Sequence, residues 1–560
     1  MLLSNMELLA TAPGGVAKLR ELILTLAVQG KLVPQDPADE PAGVLLQKIR
    51  AEKDRLIAEG KIKRDKPLAE IAEEEKPFEL PAGWVWVRIP EVTHNLGQGE
   101  PTGAFNYIDV ASVDNLKGCV ASEIQVLEAA DAPSRARKNV APGTVIYSTI
   151  RPYLKNIAVV ERDYSPRAIA STAFAVMHPH SGVLPKYLMH YLRSQPFSDY
   201  VNSKAVGIAY PAINDANFFQ GLIALPPEAE QSRIVARVEA LMRLCNALEA
   251  KGQLEATQHA QLVNTLLGTL TASTTPEELA DNWQRVAQHF DLLLDRPEAI
   301  DALEQALLQL AVRGLLVPQD PTDEPASALL QKIRAEKDRL VATAQIKRDK
   351  PLPPITDEEK PFEVPVGWEW VRWANIAMKI GDIDHKMPSE AKDGVPYVSP
   401  RDFYGINEID FDGAKKIAYS DYVELASKIR PEAGDLIYPR YGTIGVVRKV
   451  TTDREFLASY SCAVIKVLPG FIETDYQYLF SVSRCAKAQA ASATNRTTQP
   501  NVGLKSIQEF LVPLPPLAEQ SRIVTRVTAL RRLCADLRQR LAERGALQAR
   551  LAEALVQAVA

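Results

Sequence analysis

Cysteine and histidine are scarce in this chain, which has five cysteines and seven histidines among 560 residues. The cysteines are widely spaced, without CxxC pairs or metal-ligand spacing to histidine, so they predict no metal site and are typical of buried thiols in a reducing cytoplasm. Long apolar runs are also lacking, since the longest, such as 262–270, are too short to span a membrane. The N-terminus has no basic region of the kind that begins a signal peptide. These absences predict a cytoplasmic protein without a membrane partner.

The sequence also lacks the short motifs of common catalytic sites. It has no GxxxxGK[ST] phosphate loop, no GxGxxG after a strand, no [DN]PP[YF] tetrapeptide of methyl transfer and no HExxH. Residues 73–76 (EEEK) and 357–360 (DEEK) contain the ExK fragment of some nucleases, but a linker rich in glutamate and lysine produces this match by chance. We therefore expect a chain that is not an enzyme and that binds no metal or cofactor itself.

Charge and composition leave the binding partner open. The formal net charge is −5, and 46% hydrophobic and 24% charged residues are ordinary for a globular protein. A negative total argues only weakly against nucleic acid, because a DNA-binding face needs positive potential only locally. A chain of 560 residues is too long for one hydrophobic core, so two or more domains are expected.

An internal repeat dominates the sequence. Residues 26–67 recur as 310–351 with 33 of 42 positions identical, and residues 226–245 recur as 515–534 with 16 of 20 identical. The offset between copies grows from 284 in the first block to 289 in the second, so the segment between the blocks is five residues longer in the second copy. The duplication therefore preserves supporting blocks and lets two modules of domain size diverge. The divergent modules lie at about 85–225 and 369–514.

Part of the first repeated block is strongly charged. The stretch QKIRAEKDRL at 47–56 and the following IKRDKP at 62–67 recur unchanged in the second copy, and their pattern indicates a helix and an extended linker. Two interpretations stay open. A charge run is usually a solvated helix face, whereas near-identity of exposed residues in both copies favours a surface that binds a repeated partner.

The second repeated block predicts a long amphipathic helix in each copy. Its apolar residues recur at spacings of 4, 3, 4 and 3, which form the seam of a coiled coil. Pro-Pro pairs at 226–227 and 515–516 fix the helix start. Partner helices are predicted at 13–30 and 297–314, so we expect two antiparallel arms, one from the central segments and one from the C-terminal helix closing on the N-terminal one. The seam residues are Ile234, Val238, Leu241, Cys245 and Leu248 in the first copy and Ile523, Val527, Leu530, Cys534 and Leu537 in the second.

The modules between the blocks change to a strand-like pattern. β-Branched and aromatic runs bounded by Pro, Gly or charge, such as 144–150 and 461–468, predict strands, and one helix follows them in each module. We predict an α+β protein, a pseudo-two-fold tandem repeat in which two mixed α/β modules are separated and flanked by long antiparallel coiled-coil helices. The predicted divisions are 1–80 (N-terminal helical region and linker), 81–227 (first module), 228–364 (central helical region), 365–516 (second module) and 517–560 (C-terminal helix).

Each module carries a strand-turn cluster of basic, aromatic and hydroxyl residues, at 147–156 and at 438–445, and a later polar loop, at 202–210 and at 494–501. Arginine can pair with guanine or phosphate, while tyrosine, serine, threonine and asparagine can position a backbone or read base edges. Taken singly these clusters are ordinary surface turns, but both occur in the same order in both modules. The candidate DNA-binding residues are Arg135, Arg137, Lys138, Ser148, Thr149, Arg151, Tyr153, Lys155, Lys204 and Tyr210 in the first module and Arg401, Arg440, Tyr441, Thr443, Asn495, Arg496, Thr498 and Asn501 in the second.

Together these elements resemble the specificity subunits of type I restriction-modification enzymes. The resemblance rests on the segments LRELILTLAVQGKLVPQD, LPAGWVWVRI, VIYSTIRPYLKN, LIYPRYGTIG and LPPxAEQSRIV, and it covers nearly the whole chain, twice in the same order. It implies a non-catalytic subunit whose two target-recognition domains each bind one half of a bipartite, asymmetric site in double-stranded DNA.

The resemblance also implies partners. Helical spacers would set the half-site separation and dock two methyltransferase subunits, with restriction subunits around that core, and S-adenosylmethionine, Mg²⁺ and ATP would act only through these partners. Two alternatives stay open from the residues alone. One is a duplicated coiled-coil scaffold that binds other proteins, and the other is an enzyme with a cryptic nuclease site.

Overall fold

The chain forms two compact units. The first comprises Met1–Glu255 and Arg544–Ala560, and the second comprises Ala256–Glu543. Among the helices of the described chain, none is both long enough and apolar enough to cross a membrane. The computed structural model describes residues 11–62, 64, 67–207, 209–385, 388–495 and 500–559, with the backbone alone at 495 and 559.

The first unit contains the first module and the repeated block before it. Its helices are α1 Gly15–Val28, α2 Ala42–Ala58, α3 Ile89–Val92, α4 Pro185–Arg193, α5 Gln195–Lys204, α6 Asp215–Phe218 and the first part of α7 Glu228–Ala272. Its strands are β1 Val85–Arg88, β2 Thr93–His94, β3 Phe105–Ile108, β4 Val113–Asp114, β5 Cys119–Val120, β6 Val126–Leu127, β7 Ala136–Asn139, β8 Val145–Ser148, β9 Ile157–Val159, β10 Ala168–Ser171, β11 Phe174–Pro179 and β12 Leu222–Leu225.

The second unit contains the remainder of α7, the second module and most of the last helix. Its helices are α8 Pro276–Gln288, α9 Phe290–Leu293, α10 Pro297–Val312, α11 Ala326–Ala342, α12 Trp373–Ile376, α13 Tyr419–Ala426, α14 Thr474–Val482, α15 Arg484–Ala493, α16 Leu504–Glu509 and α17 Leu517–Val559, whose last part belongs to the first unit. Its strands are β13 Glu369–Arg372, β14 Ala377–Gly381, β15 Glu390–Val398, β16 Phe403–Tyr404, β17 Glu408–Ile409, β18 Lys415–Ile417, β19 Leu436–Pro439, β20 Arg448–Lys449, β21 Leu457–Ala458, β22 Cys462–Val467, β23 Thr494–Asn495, β24 Asn501–Val502 and β25 Leu511–Leu514.

The two modules share a core of corresponding strands although their sequences have diverged, and the first module has additional strands at the edges of both sheets. The first module has sheets of strand order β2-β11-β8-β9-β5-β4 and β6-β3-β10-β7, and β1 pairs with β12. The second has the orders β14-β22-β19-β20 and β18-β15-β21, and β13 pairs with β25. Each module contains a parallel pair at the matching place, β3 with β10 and β15 with β21, and the first module has a second parallel pair, β5 with β9. Both modules are therefore mixed α/β structures built on the same plan.

The predicted seam is the buried face of both long helices. In the first copy Ile234, Val238 and Cys245 are buried in one hydrophobic core with residues of α1, while Leu241 is partly buried against it and Leu248 is half-buried. In the second copy Ile523, Val527 and Cys534 are buried, and Leu530 and Leu537 are packed against the same cluster as Cys534. Local heptad spacing was sufficient to predict this face, because it depends only on the helical period.

In each unit a short helix packs with segments of both long helices. In the first unit α1 forms ion pairs with α7, from Arg20 to Glu249 at 2.7 Å, and with the end of α17, from Lys18 to Glu553 at 3.2 Å. Ala552 of α17 is fully buried in the same core. The last part of α17 therefore contacts α1 within the first unit.

The second unit repeats this arrangement with different segments. Here α10 packs with the last part of α7, because Leu267 and Leu270 share a buried cluster with Leu303. It also forms an ion pair of 2.6 Å with α17, between Asp301 and Arg538. Each unit therefore uses a part of both long helices.

A buried carboxylate joins the two repeated blocks in each unit. Glu230 accepts hydrogen bonds from Trp84 Nε1 at 2.9 Å and from Gln35 Nε2 at 2.7 Å. Glu519 repeats both bonds in the second unit, with Trp368 and Gln319. Burial raises the pKa of both glutamates, and the hydrogen bonds that they accept oppose that shift.

A glycine fixes the loop that supplies the glutamine. Gly30 ends α1 in the left-handed region at φ 70°, and a Cβ there would lie 2.4 Å from the ring of Pro81. Gly314 has φ 73° and would meet Pro365 at 2.5 Å. These contacts give a physical reason why the LVPQD, GW and AEQ segments are identical in the two copies, since residues of each segment contact residues of the others.

Candidate nucleic-acid interface

The two candidate segments of the first module lie side by side. The loop that joins β8 to β9 contains the first cluster, and its backbone pairs, at Ile150 and Ala212, with the segment just after the later polar loop, whose first residues end helix α5. The amide of Arg151 donates to the carbonyl oxygen of Pro211 at 2.8 Å, and the amide of Ile213 donates to that of Thr149 at 3.0 Å. The structure therefore unites two segments that are about 50 residues apart in the sequence.

The second module joins its segments in the same way. Tyr441, which follows β19, bridges to Asn501 of β24, and the amide of Val502 donates to the carbonyl oxygen of Arg440 at 2.9 Å. The bridged residues Ile150 and Tyr441 are equivalent, because each lies two residues after the end of its strand, β8 or β19. Both modules thus present a pair of joined loops at the same end of the same sheet.

Two residues of the first loop have an unusual backbone conformation. Arg151 and Lys155 lie in the left-handed region at φ 49° and 51°, on either side of a short 3₁₀ turn at Pro152–Leu154. This conformation costs a residue with a side chain roughly 1–2 kcal/mol. Such outliers persist where the surrounding structure holds them, and they are frequent at binding sites.

The second loop has glycine at both equivalent positions. Gly442, at φ 72°, lies three residues after the end of β19, just as Arg151 lies three residues after the end of β8. Arg448 and Ala158 are equivalent, because they pair with Ile437 and Ile146 at the same position of β19 and β8. Gly445, at φ 80°, lies three residues before Arg448, just as Lys155 lies three residues before Ala158. The loop geometry is therefore common to both modules, and in the first module it carries two cations.

Comparisons with known proteins identify one family model and relatives that cover nearly the whole chain. The family described as the type I restriction modification DNA specificity domain matches residues 365–544. The chain is 36% identical to the type I restriction enzyme EcoAI specificity subunit of Escherichia coli, with 97% of this chain and 94% of that protein covered. The EcoEI specificity subunit of the same organism is 35% identical at the same coverage. The chain belongs to the family of type I restriction enzyme specificity subunits.

Specificity subunits are the non-catalytic DNA-recognition component of type I restriction-modification systems, so this chain is not itself an enzyme.

A chain from a solved structure on complex assembly and conformational transition of the type I R-M system is 23% identical, with a TM-score of 0.48. The match covers 86% of this chain and 99% of that one. Within the described ranges, no three His, Cys, Asp or Glu side chains are placed to hold a metal ion.

Aromatic and basic side chains surround the first loop of this specificity subunit. The guanidinium carbon of Arg151 lies 4.4 Å from the ring centroid of Tyr210, within cation–π range. Tyr153 and Tyr210 are 54% and 67% exposed, and Lys204 is exposed as well. Burial lowers the pKa of Lys155, whose ammonium group is 3.4 Å from the carbonyl oxygen of Arg193. Exposed rings beside cations suit contact with bases and phosphates.

Two predicted residues of this loop are turned into the module. Ser148 and Thr149 are 1% and 7% exposed, and their hydroxyl groups donate to the carbonyl oxygens of Ile150 and Ala173. They fix the course of the loop in this structure. Sequence alone could not place them, because the side that a strand-end residue faces depends on the second sheet packed against it.

The remaining basic candidates of the first module lie on β7 or beside it. Lys138 is half-buried and donates to the carbonyl oxygen of Phe174 at 2.7 Å and to Asp215 at 2.9 Å. Phe174 pairs with Ser148, so Lys138 lies at the same sheet end as the loop. Arg135 is exposed, whereas Arg137 is half-buried in an ion pair with Glu100.

In the second module, the arginine of the predicted strand-turn cluster is buried. Arg440 is 7% exposed, forms an ion pair with Asp382 and donates to the carbonyl oxygen of Val502 at 3.2 Å. Tyr441 and Asn501 are half-buried. The exposed candidates are Thr443 and Arg401; the side chain of Asn495 and all of Arg496 and Thr498 lie outside the described residues.

Sequence reasoning missed the residues that hold the first loop from behind. Arg193 of α4 donates to the backbone carbonyl oxygen of Asn115 at 2.6 Å, and the side-chain Nδ2 of Asn115 donates to the carbonyl oxygen of Leu154 at 3.1 Å. These residues lie about 40 positions from the loop on either side. No local pattern marks them, because their partners are backbone atoms that the tertiary fold brings near.

Proposed function

We propose that each module reads one half of a bipartite, asymmetric site in double-stranded DNA through its pair of joined loops. One observation carries the proposal: two loops of matching backbone geometry carry Arg151 and Lys155 in the first module and Gly442 and Gly445 in the second. A constant support with different side chains suits the reading of two different sequences, because base edges are distinguished by the groups placed against them.

The long helices α7 and α17 are proposed as the spacer that sets the separation of the two half-sites, with their seams forming antiparallel coiled-coil arms. The proposal is supported by the division of the chain, since each of these two helices contributes residues to both units. We further propose that the repeated blocks dock two methyltransferase subunits and that restriction subunits assemble around that core. S-adenosylmethionine, Mg²⁺ and ATP would then be bound by those partners and not by this chain.

Selection from a library of random duplexes tests this function. The chain is purified with its methyltransferase subunits and the bound DNA is sequenced. We expect two short specified sequences separated by a constant number of unspecified base pairs, with binding that weakens steeply as salt increases. Enrichment of no sequence would contradict DNA recognition. A stable protein complex that binds no duplex would favour the scaffold alternative instead.

The loop variants extend the same experiment to single modules. Replacing Arg151 and Lys155 should relax the specified bases of one half-site and leave the other half-site and the spacing unchanged. Relaxation of both half-sites together would contradict the assignment of one module to each half.

A further inference from the structure

A short β-hairpin occurs at the same place in both modules. In the first module β4 pairs with β5, and in the second β16 pairs with β17. Each hairpin follows β3 or β15 of the shared parallel pair through one 3₁₀ turn and begins five residues after that strand ends. The first hairpin is joined to the larger sheet through β9, whereas the second is a separate two-stranded sheet. The two hairpins are therefore equivalent in position, although their sequences differ.

The turn of each hairpin presents an aliphatic side chain to solvent. The turns are formed by residues 115–118 and 405–407. Leu116 is 84% exposed and Ile406 is 70% exposed, which places both among the most exposed large apolar side chains of the described chain. A single exposed apolar residue needs no explanation, but here two divergent modules expose one at the same turn. We call Leu116 and Ile406 the crest residues.

An arginine fixes the turn of the first hairpin through its backbone. Arg193 of α4, which is half-buried, donates to the carbonyl oxygens of Asn115 at 2.6 Å and of Leu116 at 3.3 Å. The side chain of Asn115 donates in turn to the carbonyl oxygen of Leu154 at 3.1 Å. Leu154 belongs to the candidate DNA-binding loop between β8 and β9, so this turn and that loop lie side by side.

The turn of the second hairpin is fixed in the same way. Arg448 of β20, which is 3% exposed, donates to the carbonyl oxygens of Tyr404 and Gly405, both at 3.2 Å. Asn407 of the turn exchanges hydrogen bonds of 3.0 and 2.7 Å with the backbone of Lys449. Because β20 begins just after the candidate loop of the second module, this turn also adjoins that loop.

The two arginines that hold the turns are not equivalent residues. The counterpart of Arg448 in the first module is Ala158. Arg193 is the last residue of α4, and Val482 is the last residue of the corresponding α14. The shared contact is therefore made by a different residue in each module. Two separate ways of holding one turn indicate that its position is required in both.

The chemistry of the crest residues restricts what they can recognise. An aliphatic side chain neither donates nor accepts a hydrogen bond, so it cannot pair with a phosphate or with the polar edge of a base. The apolar group that double-stranded DNA offers in its major groove is the 5-methyl group of thymine. The same groove admits a two-stranded β-ribbon, and each hairpin is such a ribbon.

Cations adjoin both hairpins. The side chain of Lys117, next to Leu116 in the first turn, is 77% exposed. Arg401, two residues before β16, is exposed as well. Exposed cations beside an apolar crest suit a ribbon that lies between the phosphates on the two sides of a groove.

We propose that each hairpin enters the major groove beside the joined loops of its module and that its crest residue, Leu116 or Ile406, reads an A·T pair through the methyl group of thymine. The inference rests on the proposed function, in which the joined loops bind DNA, and it adds a third reading element to each module. The crest residues differ in shape and are carried on turns of different length, which suits two different half-sites.

The test removes the methyl group from the DNA and the side chain from the protein, separately and together. The full chain is purified with its methyltransferase subunits, and its site is obtained by selection. Each thymine of that site is then replaced by deoxyuridine, which lacks only the methyl group. For the unaltered chain, one such replacement in each half-site should weaken binding about four-fold, as expected for one buried methyl group.

The protein variants should remove this discrimination in one half-site at a time. Leu116→Ala should bind the thymine and deoxyuridine duplexes equally at the half-site of the first module, and Ile406→Ala at that of the second. Each variant is thus the control for the other. Val366→Ala removes a 99% exposed apolar side chain just before β13 and should keep both thymine contacts. Thermal unfolding checks that all three variants are folded.

The proposal is wrong if the losses from deoxyuridine and from the crest variants simply add, because contacting groups are coupled. It is equally wrong if either half-site specifies no A·T pair. Crest variants that bend DNA less without changing the preference for thymine would make the crest a wedge between base pairs instead. Loss of methyltransferase binding would make the hairpin a protein contact. The proposed function fails separately, as an unaltered complex that selects no sequence.

Discussion

The indole of Trp84 donates a hydrogen bond of 2.9 Å to the carboxylate of Glu230, 146 residues away in the chain. The second oxygen of that carboxylate accepts from Gln35 at 2.7 Å. Both neighbours act as donors, so the position requires a side chain with two acceptors and no donor, which is an ionised carboxylate. Trp368, Glu519 and Gln319 repeat the arrangement.

Glu230→Gln should therefore destabilise the first unit. An amide supplies one acceptor and sets its own N–H groups against a donor, so one buried hydrogen bond is lost, at a cost of about 1–3 kcal/mol in the free energy of unfolding. Glu519→Gln should act in the same way on the second unit. Urea titration followed by hydrogen exchange would locate each effect, with Glu228→Gln, which changes an exposed residue, as the control. An unchanged urea midpoint for Glu230→Gln would argue against this role.

The left-handed residues of the first loop allow stability and binding to be separated. Arg151→Gly/Lys155→Gly introduces the residues that the second module has at these positions, and it relieves roughly 1 kcal/mol of backbone cost at each. Stability should therefore stay equal or increase slightly, while the affinity for DNA falls about ten-fold or more through loss of two cations. Thermal unfolding and duplex titration measure the two effects. A variant that unfolds at lower temperature would show that these side chains serve the fold.

Ala552→Glu tests the contribution of the last helix to the first unit. Ala552 is fully buried in the core that contains α1, and an unpaired charge there should cost several kcal/mol. Hydrogen exchange should increase in α1 and in the first module while the second unit keeps its protection. Ala554→Glu, at an exposed position of the same helix, is the control and should have no effect. Equal loss of protection in both units would contradict the assignment of this segment to the first.

Acid should destabilise the first unit through the buried His190 and the half-buried His94. Burial is the main reason that the pKa of His94 and of His190 falls from an ordinary 6.5 to about 4. Between these values the unfolded chain binds protons that the folded protein does not, so stability present above pH 6.5 is lost as the pH falls toward 4. His190→Leu should reduce the drop in unfolding temperature between pH 7.5 and pH 5. The exposed His289→Leu is the control, and an equal drop in all three proteins would contradict the role of His190.

Periodic and repeated features of this fold could be predicted from sequence. The seam of α7 and α17 follows from a local spacing, and the ends of α1 and α10 follow from Gly30 and Gly314 in left-handed caps. The pairing of the two segments in each module could not be predicted in this way. The sequence showed only that both occur in the same order in both modules, whereas the contact between Ile150 and Ala212 depends on the folded sheet.

The individual DNA-binding candidates were harder to place. Arg440 is of a residue type that commonly binds DNA, yet it is buried and paired with Asp382, 58 residues away. Arg151, at the matching loop, is half-buried, and its guanidinium group lies over the ring of Tyr210. Which arginine is paired internally depends on charges supplied by distant segments, and no local pattern contains that information.

The division of the chain has a consequence for its synthesis on the ribosome. The second unit is one continuous stretch, whereas the first is completed by residues 544–560, which are translated after the whole of the second. The unit that begins to emerge first is therefore the last that can close its core, and until then the apolar face of α1 lacks part of its cover. A nascent chain of this protein would depend on chaperones, or on an early partner, for longest at its own N-terminal end.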